Sequence, residues 1–304
     1  MPNVWTHILY GEKMLKEANT TLETEEMQLF KLGTQGPDPF FYHNYLPWKS
    51  TPVAEVGLKL HYEHCGPVLL DLIKGAKILN DNKVKAYVLG FVTHHLLDRN
   101  THPYIHYKAG YKGNDHQKLE IIIDTILMKE HRNIETWKTP VYKEIDVGKY
   151  LYLPIVNLLE EVIQKYFTDT AIKMPNNYVA DSYKHMKQAL KVLFDPYGLK
   201  TKLLKEKVSS FTYQKEFIEK DYLNKEKKVW YHPAIKDEES TESFYELFEK
   251  AEIEGKLLFP AILSFWEDDK NSYNDIEKLL ANISYDTGKD ASLDIKNKFS
   301  DCIL

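Results

Sequence analysis

The chain has 304 residues, of which 43% are hydrophobic and 28% charged. That supports one large core or two ordinary domains and excludes a disordered or fibrous chain. Forty Lys and Arg against 45 Asp and Glu leave a formal charge of −5, which argues against a protein that coats DNA, and no stable nucleic-acid partner is expected. Cys65 and Cys302 are the two cysteines; they supply no disulfide framework, so a reducing compartment is the simpler reading. The chain has no apolar run of the ~18 residues a transmembrane helix needs. The start, Met1 to His7, lacks the basic-then-apolar pattern of a secretory signal. A cytoplasmic location is expected.

Most of the chain reads as helix. Apolar residues at helical spacing predict helices over Val4 to Glu17, Leu58 to Leu79 (with a break or kink at Gly66-Pro67), Lys83 to Leu97 and His116 to Glu130. Between the first two of these, Leu32 to Tyr42 holds two Gly and two Pro and reads as a loop followed by an aromatic run. His102-Pro103 is expected in or near a turn. Further helical patterns cover Leu151 to Phe167, Tyr178 to Leu193, Ser209 to Leu223 and Ser240 to Phe259. Pro196 to Lys202 and the stretch around Tyr231-His232-Pro233 read as loops. Strand signals are sparse, so the expected fold is all-α, a multi-helix bundle. Residues 1–200 are expected to form the core that carries the functional residues, and 201–304 to add helices that pack on it.

Nine of the twelve histidines fall between His7 and His116. A single histidine is most often a surface or satisfied core residue, but the spacing of these is informative. His94 and Asp98 are four residues apart, on one face of a helix that is otherwise apolar. A carboxylate turned into such a core is costly without a partner, and a cation removes that cost. His116 and Glu120 repeat the pattern at the start of the next apolar helix, and His102 lies between the two pairs. Imidazole and carboxylate donors without cysteine suit zinc, with manganese or iron as alternatives.

These residues resemble the zinc-dependent phospholipase C family, whose relatives include zinc single-strand nucleases and glycosylphosphatidylinositol-specific phospholipase D. The matching pieces, in the family's order, are Thr6-His7, Gly36 to Tyr42, Leu60-His61-Tyr62-Glu63, Thr93 to Asp98 with His102-Pro103, and His116 with Glu120. The resemblance implies an all-helical fold built around a cluster of three zinc ions. By position, His61, His94 and Asp98 would hold one ion. His102, His116 and Glu120 would hold a second, and His7 a third, with Asp98 bridging. Asp38 would match the aspartate that orients or deprotonates the attacking water. His61 is preferred over His64, and His102 over His106. His95, turned about 100° from His94 on a helix, is expected to be a surface residue or to act behind the ligands. Secreted members also use an N-terminal Trp at the third ion; here Trp5 is internal, and the amine of Pro2 would be the substitute.

The implied activity is metal-dependent hydrolysis of phosphoester bonds, phospholipase C-like, on a small phosphoester or phospholipid substrate, through a di- or trinuclear zinc cluster. The run Phe40-Phe41-Tyr42 suits either a substrate cleft or the core. Two other readings compete. A phosphohydrolase of the HD type needs a His-Asp dipeptide, and none of the histidines here is followed by Asp. A metal-binding scaffold that kept ligands and lost turnover is the other.

Overall fold

The computed structural model describes residues 3–45, 52–204, 209–269 and 271–304; the Pro2 amine lies outside them. Helix α1 is Val4–Glu17, opened by the Asn3 side chain, which accepts from the Val4 amide. Helix α2, Thr24–Gly33, starts with a reciprocal cap between Glu23 and Glu26. A 3-10 segment, Asp38–Tyr42, follows. Then come α3 (Val53–Tyr62), α4 (Cys65–Leu79), α5 (Asn82–Ala109), α6 (Asp115–Arg132) and α7 (Leu153–Tyr166). Beyond these lie helices Tyr178–Leu193, Phe244–Trp266 and Ser272–Leu280, and a small antiparallel hairpin of β1 (Trp230–His232) and β2 (Ile235–Ser240). Among the described residues the fold is all-α apart from that hairpin and an isolated bridge between Ile283 and Asp290.

Helix α5 is the axis. It contacts α1, α2, α4, α6, α7, the Phe244–Trp266 helix and β1, and its buried residues lie on every face. A helix apolar all round has no solvent side, so it belongs at the centre of a bundle. Buried side chains from Val4 to Leu280 form one connected cluster around it. Among the described residues, no helix is long and apolar enough to cross a membrane.

Several expectations fail in instructive ways. The break between α3 and α4 falls at Glu63-His64, with His64 in the left-handed region, and Pro67 is absorbed in the first turn of α4, where a missing N–H costs nothing. His102-Pro103 is not a turn, because α5 runs through both to Ala109. Pro103 cannot donate to the Arg99 carbonyl, and that oxygen faces Gly288, where an added Cβ would lie 2.3 Å from it. The helix is kept because Thr101 to Ile105 are all buried. Ser209 to Leu223 is not a helix; residues 210–223 are turns and extended chain. Tyr222 and Leu223 are buried but Phe217 and Ile218 are exposed, so no continuous apolar stripe is buried there to sustain one. Leu199–Leu204 is helical although its start reads as loop, the stretch at Tyr231 contributes a strand, and α2 lies outside the expected helices.

Candidate metal centre

Because α5 continues through residue 102, His94, Asp98 and His102 stand at successive four-residue steps on one helix face. The neighbouring elements bring their donors to this stripe. Helix α1 supplies His7, whose Nε2 lies 3.3 Å from Asp98 Oδ1, with its ring stacked on His94 at 4.0 Å. Helix α3 supplies His61, its Nε2 4.0 Å from Asp98 Oδ2. The loop after α2 supplies Asp38, whose Oδ1 is 3.5 Å from His61 Nε2 and 3.6 Å from His94 Nε2. His94 Nε2 is 2.9 Å from Asp98 Oδ2, and His102 Nε2 is 3.5 Å from Asp98 Oδ1. On α6, His116 Nε2 and Glu120 Oε1 are 2.7 Å apart.

Several of these atoms lie close together without an aligned hydrogen bond. Both oxygens of Asp98, both ring nitrogens of His7, Asp38 Oδ1 and Nε2 of His94 and His102 are buried and have no aligned hydrogen-bond partner. Asp98 is fully buried. An ionised carboxylate in that setting costs several kcal/mol if nothing compensates it. Atoms aimed at a shared point rather than at each other are what a cation needs. Donor atoms lie within 4.8 Å of one another in His7/His94/Asp98, in Asp38/His61/His94 and in His102/His116/Glu120. The set therefore fits zinc.

The second ring nitrogens prepare the first. His61 Nδ1 donates to the Gly57 carbonyl at 2.7 Å and His94 Nδ1 to the Thr34 carbonyl at 2.9 Å. Each bond places the proton on Nδ1 and turns the Nε2 lone pair to the centre. Gly36 makes room for this: its φ is +49°, and an added Cβ would lie 2.4 Å from the His94 ring. Burial, followed by the nearby His94, lowers the pKa of His7 to about 4, and burial lowers that of His102 to about 4. Burial works the other way on Asp98, but His102, His94 and His7 outweigh it and hold the carboxyl well below its usual range. Burial opposes protonation of His61 too, and Asp38, Asp286 and Asp98 outweigh it, so its pKa is raised.

Two supporting carboxylates were not anticipated. Asp124 on α6 accepts from the amides of Trp5 and Thr6 at 3.1 and 2.9 Å, from Thr6 Oγ1 and from Tyr213 Oη. It ties the first turn of α1 to α6 and so delivers His7. Its only signal in the sequence is that it stands one turn after Glu120. Asp286 comes from the C-terminal segment, with Oδ1 3.0 Å from His102 Nδ1 and 3.4 Å from His106 Nε2.

Other histidines are sorted by the fold. His64 is exposed and stands against Tyr166 and Phe167. His95 is not a surface residue: it is fully buried, with Nε2 on the Ile283 carbonyl at 2.8 Å. The aromatic run divides. Phe40 is core, while Phe41 packs on His61 and lines a cleft of about 290 Å³ shared with His106, Tyr111, His116 and Asp286.

A family model described as zinc dependent phospholipase C matches residues 6–197, a span that holds every ligand candidate from His7 to Glu120 and leaves Asp286 outside. No curated protein and no solved structure matches the chain.

Proposed function

Because the chain belongs to the zinc-dependent phospholipase C family, we propose that it is a phosphodiester hydrolase, acting on a phospholipid or similar small phosphoester with two or three zinc ions. The observation that carries this is Asp98, fully buried, with neither oxygen hydrogen-bonded and imidazole nitrogens of His7, His61, His94 and His102 around it. His61, His94, Asp98 and His7 hold the deeper ions, and His102, His116 and Glu120 the one nearer the cleft. When bound, the zinc ions supply Lewis acidity at the phosphate oxygens and draw the pKa of the attacking water toward about 7.

The chain's own groups do the rest. Asp38 Oδ1 faces His61 and His94 and can join them as a ligand. Oδ2 then remains to accept a hydrogen bond from the attacking water and orient it, a task that needs reach more than a shifted pKa. The second-nitrogen bonds from His61 and His94 keep their rings from turning during the reaction. Phe41 and Tyr111 give the cleft aromatic walls for the apolar or cationic part of a head group.

The test is metal content together with turnover. Purified protein is expected to contain two or three zinc equivalents and to release p-nitrophenol from p-nitrophenylphosphorylcholine until a chelator is added. Protein that binds its full zinc complement but hydrolyses no diester or monoester is a scaffold instead. Protein that takes up no zinc, manganese or iron ends the metal reading.

A further inference from the structure

We propose that Asp286, outside the family-matched span, is a positioning residue for the cleft-side zinc site: its carboxylate holds His102 by Nδ1 and so fixes the ring whose other nitrogen faces the metal centre. The inference rests on the zinc reading above.

The backbone around Asp286 is built to deliver it. Residues 283–290 form a closed loop, pinned by the pairing of Ile283 with Asp290 and by the Ser284 amide on the Lys289 carbonyl at 2.8 Å. The loop is anchored on the ligand-bearing helices. The Tyr285 amide and the Ser284 hydroxyl both donate to the His61 carbonyl, at 3.0 and 3.1 Å, and His95 donates to the Ile283 carbonyl. Its other flank is held by His232 of the hairpin, which bonds the Thr287 carbonyl at 2.8 Å. The Tyr285 ring is buried against His61, His94 and His95. So the fully buried His95 and the hairpin, which the catalytic reading leaves without a task, both hold this loop.

At its tip Asp286 Oδ1 reaches His102 Nδ1 at 3.0 Å, within hydrogen-bond distance though off the bond axis. His102 Nε2 points the other way, 3.5 Å from Asp98 Oδ1. A carboxylate behind a ligating imidazole fixes its tautomer and raises its basicity. The same oxygen takes a hydrogen bond from His106 Nε2 at 3.4 Å; the donor atoms of His102, His106 and Asp286 lie within 4.8 Å of one another, and with that nitrogen turned to Asp286, His106 is assigned as a brace on it.

The experiment compares wild type with Asp286→Asn and His106→Gln, each as the full chain loaded with zinc or cobalt(II) alone. Asp286→Asn is expected to weaken one zinc site about 10–100-fold in chelator competition, leave the other sites unchanged, and shift the cobalt absorption of that one site. His106→Gln is expected to keep the zinc count and affinity. A merely structural tether would lower the melting temperature of metal-free Asp286→Asn and move neither the affinity nor the cobalt band, and that result overturns the proposal. So does a His106→Gln variant that loses one ion outright, which would make His102, His106 and Asp286 a separate cation site. A readout on the wild type needs no variant to fold: zinc-loaded protein should show a downfield, slowly exchanging Nδ1 proton on His102, and its absence counts against Asp286. Failure of the zinc reading is distinct, because there the wild type itself takes up no metal.

Discussion

The two ends of the centre share helix α5 and meet water differently. Around Asp98, the groups from α1, α3 and the loop after α2 are all buried: His7, Asp38, His61 and His94 are each under a tenth exposed. At the other end His102 is buried, but His116 is 28% exposed and His106 15% exposed, and both line the cleft. The deep end is largely closed to solvent, with His61 alone of its groups also lining the cleft, and neither oxygen of Asp98 has an aligned hydrogen-bond partner there. The open end can borrow water and meets the substrate. A cation at the deep end is therefore tied to the stability of the fold, and one at the open end to exchange and turnover.

The strongest way to break this contrast is Asp98→Asn, which keeps the shape and removes the charge both ends share. Loss of a direct ligand should exceed the loss typical of a supporting residue, so zinc affinity and diester hydrolysis are each expected to fall more than about 10²-fold. A variant retaining its zinc content and rate would remove Asp98 from the centre. Next comes chelation: each ion stabilises the fold by about 4 kcal/mol when free zinc is a thousand times its Kd. Stripping the deep end, which holds more than one ion in this reading, should thus lower the melting temperature by roughly 10 °C, while the single ion of the open end should contribute less. Scanning calorimetry with graded chelator resolves the two steps.

Acid sharpens the same contrast in the metal-free protein. His7 and His102 have folded pKa values of about 4, below the 6.5 of the unfolded chain. As pH falls through 6.5 the unfolded chain takes up protons that the folded chain refuses. Stability should therefore drop between pH 6.5 and 4, on the order of 3 kcal/mol per histidine. Urea midpoints that stay flat across that window would count against it. A smaller effect is expected from Gly36→Ala, which adds a Cβ against the His94 ring at a left-handed position. It should weaken the deep sites about tenfold, within the ~1–2 kcal/mol cost of that conformation, and spare the open one, as titration calorimetry can show. The smallest effect belongs to His64→Ala, outside both ends: metal content and rate should not change, and a lost zinc equivalent would revive His64 over His61.

The same contrast explains what was legible in the sequence. A helix such as Tyr178–Leu193 is readable because it buries one regular stripe, and Val4–Glu17 because Val4, Ile8, Leu9 and Met14 keep helical spacing although its first two turns are buried all round. The pairs His94/Asp98 and His116/Glu120 were readable because a four-residue interval means one face. His102 was read as part of a turn because Pro103 follows it, and only burial on every side keeps that helix intact. Ser209 to Leu223 has helical spacing, but Phe217 and Ile218 stay exposed while Tyr222 and Leu223 are buried, and spacing alone does not make a helix. Asp286 had no local signal, since Ser284-Tyr285-Asp286-Thr287 reads as an ordinary polar turn. Its nearest clue was indirect: His102 and His106, one turn apart, both need an acceptor.

Helix α5 acts as a ruler. Eight residues from His94 to His102 span about 12 Å along its axis, and the donors of the other elements are all gauged against those marks. One residue inserted between Asp98 and His102 would swing His102 about 100° around the axis and carry it off the row. Drift in this chain is thus forbidden in the count of residues along one rod and in the two loops that carry Asp38 and Asp286 to it.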